Sequence, residues 1–485
     1  MNEHATAFKP SLRLFDATMI VAGSMIGSGI FIVSTDIVRN VGSAGWLILV
    51  WVITGLMTVM AAVSYGEMSG MFPRAGGQYV FLREAFNPLA GFLYGWSSFT
   101  VIQTATIAAV GVAFSRFTAY LIPEVGENVF LFSSGNFHIS AAQILAIILI
   151  LFLTYTNTRG INGGKIIQTT FTSVKLLSLF ALIILGFLLV KHSFWNENWQ
   201  TGLNAVQLEK VKGNFVKNGS WFPISGTILI GAIAASMVGS LFSSDAWNNV
   251  TFIAAEIKNP KRNIGLSLFL GTFIVSIIYI TTNLMYLNAL SLHEIAFPGG
   301  DRVAVAASNA IFGHHGAAVI AVMIMISTFG CNNGLILAGA RVYYTMAKDG
   351  LFFKKAGTLN KKAVPEWALW AQAIVASILC LSGGYNDLLD MIAFVVVIFY
   401  VLTIIGIFVL RKTKPNIDRP YKAFAYPFLP ALYIIMGLVF CVFLVIFKPV
   451  YTLWGLGIVL AGIPVYYITI RNKKKINPSL NERRY

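Results

Sequence analysis

Charged residues are scarce in this sequence, and their scarcity excludes most classes of soluble protein. Asp, Glu, Lys and Arg make up 11% of the 485 residues, whereas a soluble chain typically has about 25%. Apolar residues make up 57%, and the mean hydropathy is +0.74. This composition predicts an all-α polytopic membrane protein.

Cysteine is also scarce, which excludes a disulfide-rich scaffold. Cys331, Cys380 and Cys441 all fall inside apolar segments, where a thiol behaves as a small buried hydrophobic group. The six histidines fall in predicted loops, in the N-terminal tail or at the ends of spans, without metal-ligand spacing. We therefore expect no metal and no cofactor.

Acidic residues number 19 against 35 basic ones, which gives a formal net charge of +16. With both termini placed in the cytoplasm, most Lys and Arg residues fall in predicted inner loops and in the basic tail, as the positive-inside rule requires. The charge therefore indicates membrane topology and contact with anionic lipid rather than nucleic-acid binding. We expect a multi-pass protein of the cell membrane, most simply a bacterial inner membrane.

Twelve apolar segments have roughly the 20 residues needed to cross a bilayer. None has the pattern of a cleaved signal peptide. The segments lie near residues 14–38, 43–69, 88–121, 140–157, 164–190, 224–256, 264–290, 316–346, 366–383, 387–410, 426–447 and 450–470.

The first segment is interrupted near its centre by Gly27-Ser28-Gly29. Lipid satisfies no backbone hydrogen bonds, so a break is tolerated only where protein or a water-filled cavity surrounds it. Freed N–H groups at the start of a second half-helix suit a small carboxylate. The same small residues also suit close helix packing, so this stretch alone leaves both interpretations open.

The sixth segment is interrupted in a similar way by Ser243-Ser244-Asp245. Asp245 lies near mid-membrane, where a carboxylate costs about 3 kcal/mol or more. The two breaks are five segments apart, which is the spacing expected of two inverted five-helix repeats with a substrate between them. The pair of breaks favours a carrier.

This reading divides the chain into six parts. They are a cytoplasmic tail (1–13), a first repeat (14–190), an outer loop (191–223), a second repeat (224–410), two further helices (411–470) and a second cytoplasmic tail (471–485).

The chemistry of the two breaks suits an α-amino acid. Free N–H groups of Ser28, Gly29 and Ile30 can bind its carboxylate, and unwound carbonyls near both breaks can accept from its ammonium group. The candidate substrate site comprises Met25, Ile26, Gly27, Ser28, Gly29, Ile30, Phe242, Ser243 and Asp245.

Two charged side chains lie deep in the predicted spans, and each has two interpretations. Lys175 either bonds carbonyls of a neighbouring helix or replaces a bound sodium ion beside the first break and couples substrate occupancy to closure. Asp245 either caps the second half of the sixth helix, through N–H groups near Trp247 and Asn248, or faces the pocket and favours a cationic substrate.

Aromatic residues near the breaks are candidates for gates. Trp247 lies just beyond the second break and is a candidate gating residue. Phe394, Phe399 and Tyr400 in the tenth segment fit either an outer gate or simple packing, and packing is the favoured interpretation.

Several motifs together resemble the amino acid–polyamine–organocation superfamily, and most nearly its L-type amino acid transporter branch with its bacterial relatives. They are Met25 to Phe31, Pro73 to Tyr79, Phe81 to Phe86, Phe242 to Val250, Glu256 to Asn263, and Leu410 to Tyr421. The resemblance implies twelve transmembrane helices, a LeuT-like five-plus-five inverted repeat, and amino acid exchange by alternating access. A lysine at the place of Lys175 is similar to that of sodium-independent members.

Other functions remain open at this stage. A proton-coupled symporter, a carrier of cationic amino acids or polyamines, and a non-transporting membrane sensor would share these motifs. The spans lack the clustered catalytic side chains of an enzyme.

Animal relatives of the L-type branch bind a heavy subunit through a cysteine in the loop after the third helix. The corresponding loop here, Pro123 to His138, has no cysteine, so we expect no disulfide-linked heavy subunit and a monomer or weak oligomer.

Overall fold

The computed structural model describes residues 10–134, 137–159, 161–211, 214–217, 219–382 and 385–476. These residues form mostly helices, connected by short loops and three small two-stranded sheets. The first ten helices are α1 (Leu14–Met25), α2 (Ser34–Val41), α3 (Ala44–Met71), α4 (Gln78–Ala85), α5 (Pro88–Ser97), α6 (Gln103–Leu121), α7 (Ala141–Thr158), α8 (Ile161–Leu189), α9 (Trp195–Gln200) and α10 (Gly226–Ser243).

The second part of the chain continues the same pattern of long helices joined by short ones. Its helices are α11 (Asn249–Phe252), α12 (Pro260–Ala289), α13 (Leu292–Ala296), α14 (Val303–Phe312), α15 (His314–Lys348), α16 (Glu366–Ser382), α17 (Tyr385–Thr413), α18 (Phe428–Phe447) and α19 (Pro449–Ile476). A π-helical turn over Ser98–Ile102 joins α5 to α6.

The strands lie in two loops. In the first loop β1 (Phe130–Ser134) pairs with β2 (Phe137–Ser140). In the loop between α8 and α10, β3 (Val206–Leu208) pairs with β6 (Trp221–Pro223), and β4 (Lys210–Val211) pairs with β5 (Asn214–Phe215).

In the described part of the chain, ten helical stretches are long and apolar enough to cross a membrane. They fall in ten of the twelve predicted segments. The first predicted segment is divided into α1 and α2, and the ninth contains α16, whose apolar stretch is shorter.

Local sequence signals set where several of these helices begin. Ser43 accepts a hydrogen bond from the Trp46 amide at the start of α3, and Asn87 accepts one from the Ala90 amide at the start of α5. Each side chain satisfies one of the amides that the first helical turn leaves unpaired. The caps therefore fix where α3 and α5 leave the loops.

Polar contacts between helices hold the two broken segments in place. Thr54 on α3 and Ser240 on α10 have their hydroxyls 2.7 Å apart, and Ser34 on α2 donates to Asn283 on α12 at 2.6 Å. All four side chains are buried. Hydrogen bonds of this kind help transmembrane helices to associate, because lipid offers these buried polar side chains no alternative partner.

Ion pairs with buried carboxylates join helices near their ends. The Glu67 carboxylate, which is only 1% exposed, accepts from Arg411 at 2.7 Å. Glu256 pairs with Arg341 at 3.3 Å. These pairs connect the ends of α3 with α17, and the loop after the second break with α15.

Candidate functional site

Helical structure is interrupted at the first predicted break. Helix α1 ends at Met25, the Gly27 amide turns back to donate to the Met25 carbonyl at 2.8 Å, and a 3-10 turn begins at Gly29. Every residue from Met25 to Phe31 is buried. The first amides of a helical segment have no acceptor within it, and the amides of Gly29 and Ile30 make no backbone hydrogen bond among the described residues.

The carbonyl groups at the first break accept hydrogen bonds from side chains on three other helices. Lys175 on α8 donates to the carbonyls of Gly23 and Ile26, the latter at 2.8 Å. Further donors include Tyr286 to Ile30 at 3.2 Å, Cys331 to Ser24 at 3.3 Å, and Ser327 to Ile26 at 3.4 Å. The surrounding protein thus stabilises irregular backbone at this depth, as lipid could not.

Lys175 therefore lies where the sequence placed it, against the first break. Its side chain is 1% exposed, and two of the three ammonium hydrogens are directed to backbone carbonyls. Both interpretations of Lys175 require contact with carbonyls, so its position is compatible with a structural and with a coupling role.

Helical structure is also interrupted at the second predicted break. Helix α10 ends at Ser243, and the Asp245 amide donates to the Phe242 carbonyl at 3.2 Å. Ala246 has φ of +62°, a left-handed conformation that L-residues other than glycine rarely adopt. The sixth segment was predicted to continue to residue 256, but only the single turn α11 and a 3-10 turn over Ala254–Glu256 follow the break.

The two breaks touch each other. A Cβ atom added to Gly29 would lie 1.9 Å from Ser243 Oγ, so no side chain fits between the two segments there. The Tyr279 hydroxyl on α12 lies 3.0 Å from the Met25 carbonyl and 2.9 Å from the Ser243 carbonyl. A single tyrosine thus connects both interrupted backbones.

The Met25 and Ile26 carbonyls were predicted to accept from a substrate ammonium group, but both already accept from protein donors. A carbonyl oxygen has two lone pairs, and both are in use at each residue: the Met25 oxygen also accepts from the Gly27 amide at 2.8 Å, and the Ile26 oxygen also accepts from Ser327 at 3.4 Å. A substrate ammonium group at either oxygen therefore has to replace a protein donor. The sequence did not indicate the role of Tyr279, because the residues around a tyrosine in an apolar segment do not show which groups its hydroxyl will contact.

Asp245 has a side-chain partner that the sequence did not identify. Its carboxylate accepts a hydrogen bond from the Tyr400 hydroxyl on α17. The favoured interpretation of Tyr400, packing alone, was therefore incomplete. The Ala246 amide also donates to this carboxylate, one residue before the amides that the cap interpretation names.

Trp247 is enclosed by aromatic rings. Its ring centroid lies 4.8 Å from that of Tyr65 and 5.0 Å from that of Tyr400, and its side chain is 2% exposed. Offset and edge-to-face aromatic contacts of this kind hold the indole in place. Movement of Trp247 would therefore disturb Tyr400, whose hydroxyl donates a hydrogen bond to Asp245.

Two cavities border the second break, and Asp245, Val396 and Tyr400 line both of them. The apolar cavity is lined mainly by Met57, Ala61, Leu241, Phe242, Ile392 and Ala393. The polar cavity is lined by Gln78, Tyr94, Gln103, Thr106, Asn248 and Asn249, and also by the apolar side chains of Ile102, Phe252 and Leu335.

Comparison with known proteins agrees with this architecture. Residues 12–470 match the family model described as amino acid permease. The chain is 29% identical over 470 residues to the large neutral amino acids transporter small subunit 2 of Mus musculus, covering 96% of this chain and 82% of that protein.

Two further mouse proteins show similar coverage. The b(0,+)-type amino acid transporter 1 is 26% identical over 476 residues, covering 96% of this chain and 89% of the relative. The Asc-type amino acid transporter 1 is 27% identical over 472 residues, covering 97% and 83%.

Proposed function

Because the chain belongs to the amino acid permease family, we propose that it is a secondary active amino acid transporter, and specifically a sodium-independent exchanger working by alternating access. The observation that carries the proposal is the contact between the two helix breaks, with Tyr279 reaching a carbonyl of each. Two interrupted helices that meet at mid-membrane provide backbone donors and acceptors within one small space.

Substrate recognition in this proposal uses backbone atoms. The carboxylate of an L-amino acid binds the amides of Ser28, Gly29 and Ile30, and its ammonium group replaces protein donors at the carbonyls of Met25, Ile26 and Phe242. Gly29 and Ser243 keep the two segments close enough for one α-carbon to reach both. A site of this kind recognises the part that all α-amino acids share.

The position of Lys175 supports sodium independence. Carbonyl oxygens and a serine hydroxyl, the ligand types that a hard cation needs, surround the first break, and the ammonium group already bonds to the carbonyls of Gly23 and Ile26. The positive charge of Lys175 thus replaces that of a bound sodium ion.

Trp247 acts as a gate, because its movement would open the space beside Asp245.

Counterflow in proteoliposomes tests the proposal. Vesicles preloaded with unlabelled leucine should take up labelled leucine faster than empty vesicles, equally well in sodium and in choline buffer. A protonophore should leave this exchange unchanged. Collapse of uptake by the protonophore would instead indicate the alternative, a proton-coupled symporter.

Matched variants make the counterflow test specific to this site. Gly29→Val, which adds bulk between the breaks, should abolish the acceleration. Val439→Phe adds bulk on α18 at a side chain that is 48% exposed, and should not. Amino acid binding without any acceleration in the wild-type protein would point to a membrane sensor.

A second candidate function, transport of cationic amino acids or polyamines, is favoured by one observation. The Asp245 carboxylate borders both cavities, and its described side-chain partner is the neutral Tyr400 hydroxyl. A cationic side chain would supply the missing counter-charge. Asp245→Asn should then lower arginine and lysine exchange more than leucine exchange; an unaltered substrate profile would contradict this function.

We further propose a topology of twelve transmembrane helices in a five-plus-five inverted repeat, with both termini in the cytoplasm of a cell. The name of the mouse large neutral amino acids transporter describes it as a small subunit. In this chain all three cysteines are free and buried, which supports function without a disulfide-linked heavy subunit. Cysteines introduced singly into the tails and tested with membrane-impermeant reagents would check the orientation.

A further inference from the structure

The space around the second break is divided in two by the hydrogen-bonded pair Asp245 and Tyr400. We propose that the two cavities are separate side-chain compartments: the apolar cavity receives branched and aromatic substrate side chains, and the polar cavity receives amide and cationic ones. The inference rests on the proposed function, because it concerns the side chain of an amino acid whose backbone groups bind at the breaks.

The apolar cavity suits a hydrocarbon side chain. Phe242, the last but one residue of α10, leads from the second break into it, and Leu241, Ile392 and Ala393 form much of its wall. Burial of each CH₂ group there is worth roughly 0.8 kcal/mol. A polar side chain in the same place would lose its hydrogen bonds to water and would find too few protein partners to replace them.

The polar cavity is lined by amides that form a short hydrogen-bonded chain. Asn248 donates to Gln78 at 3.1 Å, and Gln78 donates to Thr403 at 3.1 Å. Asn249 Nδ2, on a residue that is 3% exposed, has no hydrogen-bond partner among the described residues. This buried donor lines the cavity and suits the carbonyl of an amide side chain.

The amides that line only the polar cavity explain why one site can sort two kinds of side chain. A hydrocarbon in the polar cavity would separate Asp245 from polar neighbours and leave Asn249 unpaired, at a cost of about 1–3 kcal/mol for each buried group. A cationic side chain in that cavity would meet the carboxylate directly. With the α-carbon fixed at the breaks, the side chain determines which cavity is filled.

Selective filling of each cavity tests the inference. Ala393→Phe adds a ring to the apolar cavity, and should lower leucine exchange at least about tenfold while glutamine exchange changes less than about twofold. Thr106→Leu adds bulk to the polar cavity and should have the opposite selectivity. The Thr106 hydroxyl donates to Ile102 of its own helix at 2.6 Å, so Thr106→Val separates loss of that bond from added bulk.

The retained substrate in each variant also reports that the protein is folded. If Ala393→Phe cannot be purified, the smaller Ala393→Val should shift the leucine-to-glutamine ratio in the same direction. Parallel losses of both substrates in both cavity variants would overturn the two compartments. Wild-type vesicles that exchange neither amino acid would instead overturn the proposed function itself.

Discussion

Gly29 is the position where a small change should most affect substrate binding. A Cβ atom at this residue would lie 1.9 Å from Ser243 Oγ, 2.6 Å from Ser243 Cβ and 2.9 Å from Ser243 Cα. Ordinary carbon contacts are about 3.5–4.0 Å. Rotation of Ser243 removes the first clash but not the other two, so Gly29→Ala must separate the breaks.

The size of the effect follows from overpacking. Extra atoms forced into a close-packed interior typically cost about 1–3 kcal/mol. If that cost falls on the arrangement that binds substrate, affinity decreases by a factor of about 5–150. Ser28→Ala keeps the backbone amide that binds the carboxylate, so its effect should be smaller.

Binding of a labelled amino acid to purified protein, with the melting temperature as a folding control, measures both variants. Ser243→Gly removes two of the three clashing atoms, so the double variant Gly29→Ala with Ser243→Gly should recover part of the affinity. Wild-type affinity in Gly29→Ala, with a large loss in Ser28→Ala, would show that the carboxylate depends on the serine hydroxyl and that the substrate has been placed wrongly.

Three further predictions concern single residues. Lys175→Ala and Lys175→Met, which keeps most of the length of the side chain without its charge, should each slow exchange at least about tenfold, since both lose the charged bonds to the first break; unchanged exchange kinetics would exclude coupling through this lysine. Ala246→Gly should stabilise the protein by about 1 kcal/mol in thermal unfolding, because φ is +62°; a lower melting temperature would contradict this. Glu67→Gln should destabilise it by about 3 kcal/mol, since Arg411 loses its buried partner; an unchanged melting temperature would show that the pair contributes little.

The sequence was sufficient to predict the interruptions because their causes are local. Glycines at residues 27 and 29, and Ser243 to Asp245, disfavour helix wherever they occur. The same reasoning overestimated the sixth helix, because apolar residues after Asp245 have the composition of a span. Only the structure shows that they form one turn and then the loop toward α12.

The partners of the site residues were not predictable, because they depend on which helices meet. Tyr279 lies 36 residues from Ser243, and Tyr400 lies 155 from Asp245. Hydrophobic periodicity indicates that a side chain faces other helices, but not which atom it will reach. The polar wall near Asn249 is likewise assembled from α4, α5, α6 and α17, which no local pattern connects.

The central claim is that backbone amides at the first break bind the substrate carboxylate. A structure determined with a bound L-amino acid tests it most directly. The carboxylate oxygens should lie about 2.7–3.2 Å from amides of Ser28, Gly29 and Ile30, with the α-carbon between the two breaks. A carboxylate bound instead to the Lys175 ammonium group, away from these amides, would contradict the account.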